Sequence, residues 1–328
     1  MSVPAITIDD IETAAHRLAL VVVRTPLMEH PLLNERLGGR VLIKPENQQV
    51  VGSFKLRGAY NAIAALGPEQ RARGVVAFSS GNHAQGVARA ASLMGVPATI
   101  VMPSDAPAIK IENTRAFGAT IAFYDRYSES REALAQRLAD DTGAALIPSF
   151  DHPDVMAGQG TVGLEIAEEL AARGIVPDQA LICCGGGGLS SGSFLALHRA
   201  FPRMAAYTVE PSGFDDTARS LKSGARERVD PASRSVCDAL LSERPGALTL
   251  DLLRRERAKG AVVSDDQALA AVAYAARVLK QVVEPGGAVA LAALLSGVVP
   301  AKGRTSVIVL SGGNIAPAML SRALEQAE

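Results

Sequence analysis

Lys55 stands in the run Gly52-Ser-Phe-Lys-Leu-Arg-Gly-Ala59, where an apolar stretch gives way to a helical pattern. Enclosed by apolar neighbours, a lysine has its ammonium form destabilised, which leaves a nucleophilic amine suited to Schiff-base chemistry. A surface lysine in a first helical turn would give the same run, although positive charge is disfavoured at that end of a helix. Ser79-Ser80-Gly81-Asn82-His83 directly follows a β-type run. Small polar residues there present hydroxyls and backbone N–H groups at a helix N-terminus, a cradle for a carboxylate or phosphate. Their density exceeds what an ordinary helix cap needs. Cys183-Cys184-Gly185-Gly186-Gly187-Gly188-Leu189 again lies between strand and helix patterns, and its glycines let a phosphate approach the backbone closely. The run is neither a Walker A sequence nor a dinucleotide fingerprint.

Two further clusters carry weaker signals. Ser311, in Ser311-Gly-Gly-Asn314, ends a strand pattern, so its hydroxyl reaches the crevice where α/β folds bind ligands; a cap for the last helix would read the same. Glu210, Asp215 and Asp216 crowd one turn around Phe214 and could hold a hard cation, although solvated loop acids share the pattern. The five histidines show no zinc spacing, and no G-x-S-x-G elbow is present, which argues against zinc and Ser-His-Asp chemistry.

The elements that must position these residues alternate. Short apolar runs at 41–44, 75–79, 98–102, 120–124, 181–184, 206–209, 262–264 and 306–310 read as buried parallel strands. Helical patterns fall at 57–66, 84–94, 129–140, 160–172 and 266–283. The alternation predicts an α/β fold with two open, mostly parallel sheets covered by helices. Residues 71–148 read as a small domain carrying the Ser79–His83 turn, inserted into a large domain of 1–70 and 149–328, with a ligand cleft between them.

The 328 residues contain 48% hydrophobic and 20% charged residues, enough apolar surface for a large core. Lys and Arg number 33 against 34 Asp and Glu, and aromatics are 4% with no Trp, so neither charge nor stacking surfaces suggest a nucleic-acid partner. No apolar run is long enough to span a bilayer, Met1–Asp10 lacks a signal-peptide pattern, and three Cys make no disulfide framework. These features predict a cytoplasmic protein without a membrane partner.

A lysine nucleophile, a phosphate cradle, a carboxylate cradle and a hydroxyl at a strand end together suit pyridoxal 5'-phosphate (PLP), which stabilises negative charge at a substrate Cα. The order Ser-Phe-Lys-x-Arg-Gly-Ala (53–59), Ser-Ser-Gly-Asn-His (79–83), Ala-Gly-Gln-Gly-Thr (157–161), Gly-Gly-Gly-Gly-Leu (185–189), Glu-Pro-Gly-Gly-Ala (284–288) and Ser-Gly-Gly-Asn (311–314) resembles the threonine/serine dehydratase and serine racemase family of fold-type II PLP enzymes. The resemblance runs from about residue 5 to 320. It implies that Lys55 carries the cofactor with Phe54 beside the ring. Asn82 then meets the ring hydroxyl, Gly185, Gly186, Gly187, Gly188 and Leu189 hold the phosphate, and Ser311 meets the ring nitrogen. Ser79, Asn82 and His83 receive the substrate carboxylate, Ser80 is an acid/base on the face opposite Lys55, and Arg131 is a substrate or lid residue. Racemase-like members also hold a divalent cation (Mg2+, Mn2+ or Ca2+), here through Glu210, Asp216 and the Phe214 carbonyl.

A serine hydroxyl is too weak an acid to keep the ring nitrogen protonated, so the ring is a modest electron sink. Elimination and racemisation fit that chemistry; transamination fits poorly. The expected reaction is loss of water and then ammonia from a β-hydroxy amino acid, L-threonine or L-serine, to give a 2-oxo acid. A 3-hydroxyaspartate substrate, with Arg131 or Arg244 meeting the extra carboxylate, and serine racemisation through Ser80 are the alternatives. A non-catalytic nucleotide-binding module would use the glycine run alone. The sequence shows no long extension after Glu328, so the resemblance predicts the short catabolic or racemase-like type, and it also implies a homodimer.

Overall fold

β-branched and aliphatic residues without helical periodicity form the strands, and most are buried on both faces, as a helix-covered parallel sheet requires. The computed structural model describes residues 6–106, 108–125 and 127–326, so the first five residues of the Met1–Asp10 stretch lie outside it. One six-stranded sheet contains β1 (Met28–Glu29), β2 (Arg40–Pro45), β7 (Gln179–Cys183), β8 (Ala205–Pro211), β9 (Lys259–Val263) and β10 (Thr305–Leu310). Its order is β1-β2-β10-β7-β8-β9, and only β1 runs antiparallel to its neighbour. A second, all-parallel sheet has the order β5-β4-β3-β6, from β3 (Val75–Phe78), β4 (Ala98–Pro103), β5 (Thr120–Tyr124) and β6 (Ala145–Leu146). The two-residue strands β1 and β6 are too short to show in the sequence pattern.

Helices cover both sheets. Before the second sheet come α1 (Ile8–Leu18), α2 (Pro31–Leu37), α3 (Lys55–Ala65) and α4 (Pro68–Arg73). Between and after its strands lie α5 (Asn82–Met94), α6 (Ala108–Ala116) and α7 (Arg131–Thr142), followed by α8 (Pro153–Ala172), α9 (Gly188–Ala200), α10 (Asp216–Ser223) and α11 (Ala247–Arg255). The chain closes with α12 (Asp265–Tyr274), α13 (Pro285–Leu295) and α14 (Pro317–Gln326). The main hydrophobic core packs β2, β7 and β10 against α13, α12 and α8, through residues such as Ile43, Leu181, Ile308, Val289 and Ile166. Separate clusters fill the two faces of the second sheet.

Three glycines of α8 set how closely the helices approach the site. A Cβ at Gly158 would strike the Arg57 carbonyl of α3, and one at Gly160 or Gly163 would strike the backbone of Gly192 or Ser193 in α9. Two of the three belong to the Ala157–Thr161 motif, whose small residues therefore serve helix packing. The expected helix over 266–283 is corrected: α12 ends at Tyr274, a π-helical turn spans Ala275–Leu279, and Lys280 adopts φ 57°. That left-handed residue stops the helix and releases Gln281–Glu284 as an extended approach to α13, which apolar periodicity alone does not reveal.

Candidate active site

Lys55 opens α3, and its surroundings hold that opening firmly. Ser53 forms an isolated antiparallel bridge with Gly312, and the Phe54 N–H donates to the Ser311 carbonyl at 3.2 Å. Arg57, fully buried, donates to both oxygens of Glu46 (2.8 and 2.9 Å), both oxygens of Glu165 (2.6 and 3.0 Å) and Thr161 Oγ1 (3.1 Å). Lys44 Nζ adds contacts to Glu165 (2.6 Å) and the Thr25 carbonyl (2.5 Å). Two buried cations thus face two carboxylates. Burial pushes Glu46 up, but the charge and hydrogen bonds of Arg57, with the Lys44 charge and the Thr25 hydroxyl, together outweigh it and hold Glu46 below its ordinary range.

The Lys55 amine has no such partner. Nζ donates to the Ser149 carbonyl at 2.9 Å and sits 5.1 Å from the Phe54 ring centroid. The residue keeps some solvent access, while its amine is enclosed, and burial lowers its pKa to about 8, offset only in part by Cys183 and Glu284. Helix α5 packs directly on the Lys55 backbone, since a Cβ at Gly86 would lie 3.0 Å from the Lys55 carbonyl.

The Ser79–His83 turn is not an ordinary capped start. The N-cap of α5 is Gly81, with no side-chain cap, and Ser79 Oγ instead accepts from the Gly81 N–H at 3.1 Å. The first N–H groups of α5 therefore keep no intrahelical partner. Asn82 donates to Glu284 Oε1 at 2.5 Å and accepts from Asn314 at 2.7 Å, which joins α5 to the ends of the Glu284 and Ser311 motifs. His83 Nε2 lies 2.9 Å from the Ile147 carbonyl. A carbonyl only accepts, so Nε2 carries the proton and the buried Nδ1 is left as a lone pair without a partner. Burial, reinforced by Lys55, pushes its pKa down to about 3, so the ring is neutral. Its main-chain N–H, not its ring, is the group that can meet a carboxylate. Ser80 is half-buried in the turn. Arg131 is exposed, pairs with Glu132 at 2.7 Å and lies 5.7 Å from the ring of Phe78, the residue before Ser79. Arg244 is exposed on the loop before α11.

The tetraglycine run turns β7 into α9. Gly187, at φ 94°, is the N-cap and supplies no side-chain cap, so the first turn of α9 presents open N–H groups. No side chain fits: a Cβ at Gly186 would overlap the Phe150 ring, one at Gly188 would overlap Gln159 Oε1, and one at Gly187 would meet Thr249 at 2.9 Å. Gln159 is fully buried; its Nε2 donates to Ser149 O at 3.3 Å and its Oε1 has no partner. Leu189 is buried in the core behind the loop. A nucleophilic amine and two uncapped helix starts, one of them lined by glycines that leave no room for side chains, fit an anionic aldehyde cofactor such as PLP.

Ser311 closes the site from the end of β10. Its Oγ accepts from the Cys183 thiol at 3.1 Å, and it lies six residues before α14, so it does not cap that helix. Glu284, the N-cap of α13, is buried, and burial, with the charge of Asp238, pushes its pKa up to about 7. Sequence reasoning assigned no role to Glu284, Gln159, Ser149 or Phe150. The first two stand in quoted motifs, whereas nothing marked Ser149 or Phe150.

Glu210 and Asp216 are both buried beside this frame. Glu210 accepts from the Thr217 and Ala218 N–H groups (2.9 and 2.7 Å), while Asp216 Oδ2 has no partner. Burial raises both pKa values, Asp216 to about 7 and Glu210 well above its ordinary range, there with help from the Asp216 charge. Phe214 is buried between them in sequence. Two buried carboxylates, one with an orphan oxygen, suit a hard cation; among the described residues no three His, Cys, Asp or Glu side chains cluster to hold a metal.

Residues 18–312 match the family described as pyridoxal-phosphate dependent enzyme. The chain is 41% identical to an L-threo-3-hydroxyaspartate ammonia-lyase of Saccharomyces cerevisiae, over 94% of this chain and 93% of that one. It is 40% identical to an L-threonine ammonia-lyase of Thermotoga maritima, over 98% of this chain and 79% of that one. Among solved structures, maize serine racemase superposes with a TM-score of 0.90 at 37% identity, over 98% of both chains. With the lysine, the glycine run and the fold in agreement, the chain belongs to the pyridoxal-phosphate-dependent enzymes, in their ammonia-lyase and serine racemase branch.

Proposed function

We propose that this enzyme is a PLP-dependent ammonia-lyase that removes water and then ammonia from a β-hydroxy amino acid, L-threonine or L-serine, to give a 2-oxo acid. The carrying observation is the enclosed Lys55 amine, 2.9 Å from the Ser149 carbonyl and without a carboxylate partner. When bound, PLP supplies an electron-withdrawing ring that stabilises negative charge at the substrate Cα. Lys55 moves the Cα proton, and its lowered pKa leaves a fraction of neutral amine near pH 7 for that task. The open N–H groups of Asn82 and His83, with Ser79, bind the substrate carboxylate at the positive end of α5. Gly185–Leu189 hold the cofactor phosphate at the start of α9, Phe54 and Asn82 border the ring, and Ser311 faces its nitrogen. Loss of the Cα proton and the β-hydroxyl leaves an enamine, whose tautomerisation and hydrolysis give the 2-oxo acid and ammonia. Ser80, half-buried in the same turn, is in our reading the second proton-carrying group and would support serine racemisation as a side activity.

L-threo-3-hydroxyaspartate is the second reading, favoured by the position of Arg131 beside the Ser79–Ser80 turn and by the 41% identical relative that bears its name. Glu210, Asp216 and the Phe214 carbonyl bind a divalent cation in our reading. Residues 71–148 act as an inserted domain that brings the serine turn to the cleft. We read the enzyme as cytoplasmic and as a homodimer; the exposed apolar side chains of Leu20, Val23, Val50 and Val282 support the second of these. No helix among the described residues is long and apolar enough to cross a membrane.

The test is 2-oxo acid production from L-threonine, L-serine and the 3-hydroxyaspartate isomers, compared as kcat/KM. Preference for threonine or serine supports the main reading. A preference of several hundredfold for hydroxyaspartate, about 3–4 kcal/mol of transition-state binding, installs the second. No product from any of them, with PLP bound, rejects both.

A further inference from the structure

We propose that Cys183 is a positioning residue that sets the direction of the Ser311 hydroxyl: its thiol donates to Ser311 Oγ, so that the Ser311 O–H turns away from Cys183 and into the cleft beside Lys55. This inference rests on the reading of Ser311 as the partner of the cofactor ring nitrogen, and it assigns a second residue to that contact.

Strands β7 and β10 are parallel neighbours, and Cys183 ends the first while Ser311 follows the last residue of the second. Both side chains are 5% exposed, and Sγ lies 3.1 Å from Oγ. The Ser311 main chain is held on both sides, by Phe54 N–H on its carbonyl and by its own N–H on the Gly287 carbonyl. The backbone is therefore fixed, and the remaining freedom is the rotation of one hydroxyl. A hydroxyl has a single proton and can accept as well as donate. The thiol is the donor in this contact, Cys183 Sγ–H to Ser311 Oγ, and burial, which pushes the thiol up to about 11, keeps that proton in place. With an oxygen lone pair occupied from the Cys183 side, the Ser311 proton is left for an acceptor elsewhere. A hydroxyl that accepts one hydrogen bond is also polarised into a better donor for the next.

The experiment uses the holoenzyme loaded with PLP labelled with 15N at the ring nitrogen, and reads that nitrogen's NMR resonance in the wild type, Cys183→Ala, Cys183→Ser, Ser311→Ala and the Cys183→Ala/Ser311→Ala double variant. Ser311→Ala moves the resonance downfield, towards an unbonded ring nitrogen. Cys183→Ala moves it in the same direction by a smaller amount, the double variant matches Ser311→Ala alone, and Cys183→Ser, which keeps a donor, returns it towards the wild type. The turnover of Cys183→Ala falls about three- to tenfold with KM within twofold, the scale of one neutral hydrogen bond. Cys183→Val, which has no donor and fills the space the thiol leaves, carries the same test should the alanine variant not fold. A Cys183→Ala resonance that stays in place while Ser311→Ala moves it overturns the proposal, as does a double variant that shifts by the sum of the two. If Ser311→Ala itself moves nothing, the Ser311 reading fails and takes this inference with it, while the role of Lys55 stands or falls on its own variant.

Discussion

Buried charge is handled in two opposite ways in this molecule. Around Arg57 it is compensated: Lys44 and Arg57 face Glu46 and Glu165, with Thr25 and Thr161 accepting or donating the remaining hydrogen bonds. Around Lys55 and around Glu210 it is not. The Lys55 amine reaches only a carbonyl, and Glu210 and Asp216 are buried without a cationic side-chain partner among the described residues, Asp216 Oδ2 having no hydrogen-bond partner. Compensated buried ions hold elements in register and keep their ordinary charge. Uncompensated ones shift towards neutrality, which destabilises the folded chain unless a ligand supplies the missing partner. The contrast separates frame from site: the Arg57 network fixes the start of α3, and the uncompensated groups stand where our proposal puts an aldehyde and a cation.

The contrast can be broken most severely at Lys55. Lys55→Ala should lower 2-oxo acid production by about a thousandfold or more, while the melting temperature stays within a few degrees, because the amine removed makes one hydrogen bond to a carbonyl and no ion pair. Retained turnover would take the reaction away from Lys55. Arg57→Met should act the other way round. It strands Glu46 and leaves Glu165 with Lys44 alone, at a cost of about 3–5 kcal/mol in urea unfolding; a loss below about 1 kcal/mol would mean the network is not the anchor described above. The cation reading predicts that millimolar Mg2+, Mn2+ or Ca2+ raises the melting temperature by a few degrees, as binding at about a hundred times Kd adds about 2.7 kcal/mol. Asp216→Asn should remove that gain, and an equal response in both proteins would place the ion elsewhere.

Two smaller effects sharpen the same comparison. The Lys55 amine must be neutral to react with an aldehyde, and its pKa is lowered to about 8. Uptake of PLP by the apoprotein, followed by its absorbance, should therefore rise with pH through about 8, and at pH 7 run roughly tenfold below its plateau. A midpoint near 10 would mean that the amine is solvated. His198 and Glu256, paired at 2.7 Å, represent the compensated case near the surface. The Glu256 hydrogen bond raises the His198 pKa against some burial, so the pair's stabilisation is complete below the unfolded value and fades as pH rises through the folded one. His198→Gln should lose up to about 1 kcal/mol at pH 5.5 and less at pH 9 in urea unfolding.

Lys55, the Ser79–His83 turn, the glycine run and Ser311 were legible because their chemistry depends on residue type at a strand–helix junction, a local feature. Eight strands were legible as well, since parallel strands buried on both faces leave continuous apolar runs. The π-helical turn after Tyr274 was hidden, because its residues are as apolar as those of a helix and only Lys280 departs. Phe150 was hidden too: its place against Gly186 and Gly188 is made by a contact between segments far apart in the chain.

By itself, then, the sequence determined the α/β alternation and the family, and it singled out the lysine and the two glycine- and serine-rich turns proposed as nucleophile and anion cradles, for these rest on local patterns of residue type. Tertiary structure alone decided which charges are paired and which are left bare, that the His83 ring faces Ile147 and offers a carboxylate only its backbone, that Glu284 reaches Asn82, and that Cys183 meets Ser311. Those outcomes depend on distances of a few ångströms between residues many positions apart, and burial, which sets the cost of a charge, exists only once the chain has folded.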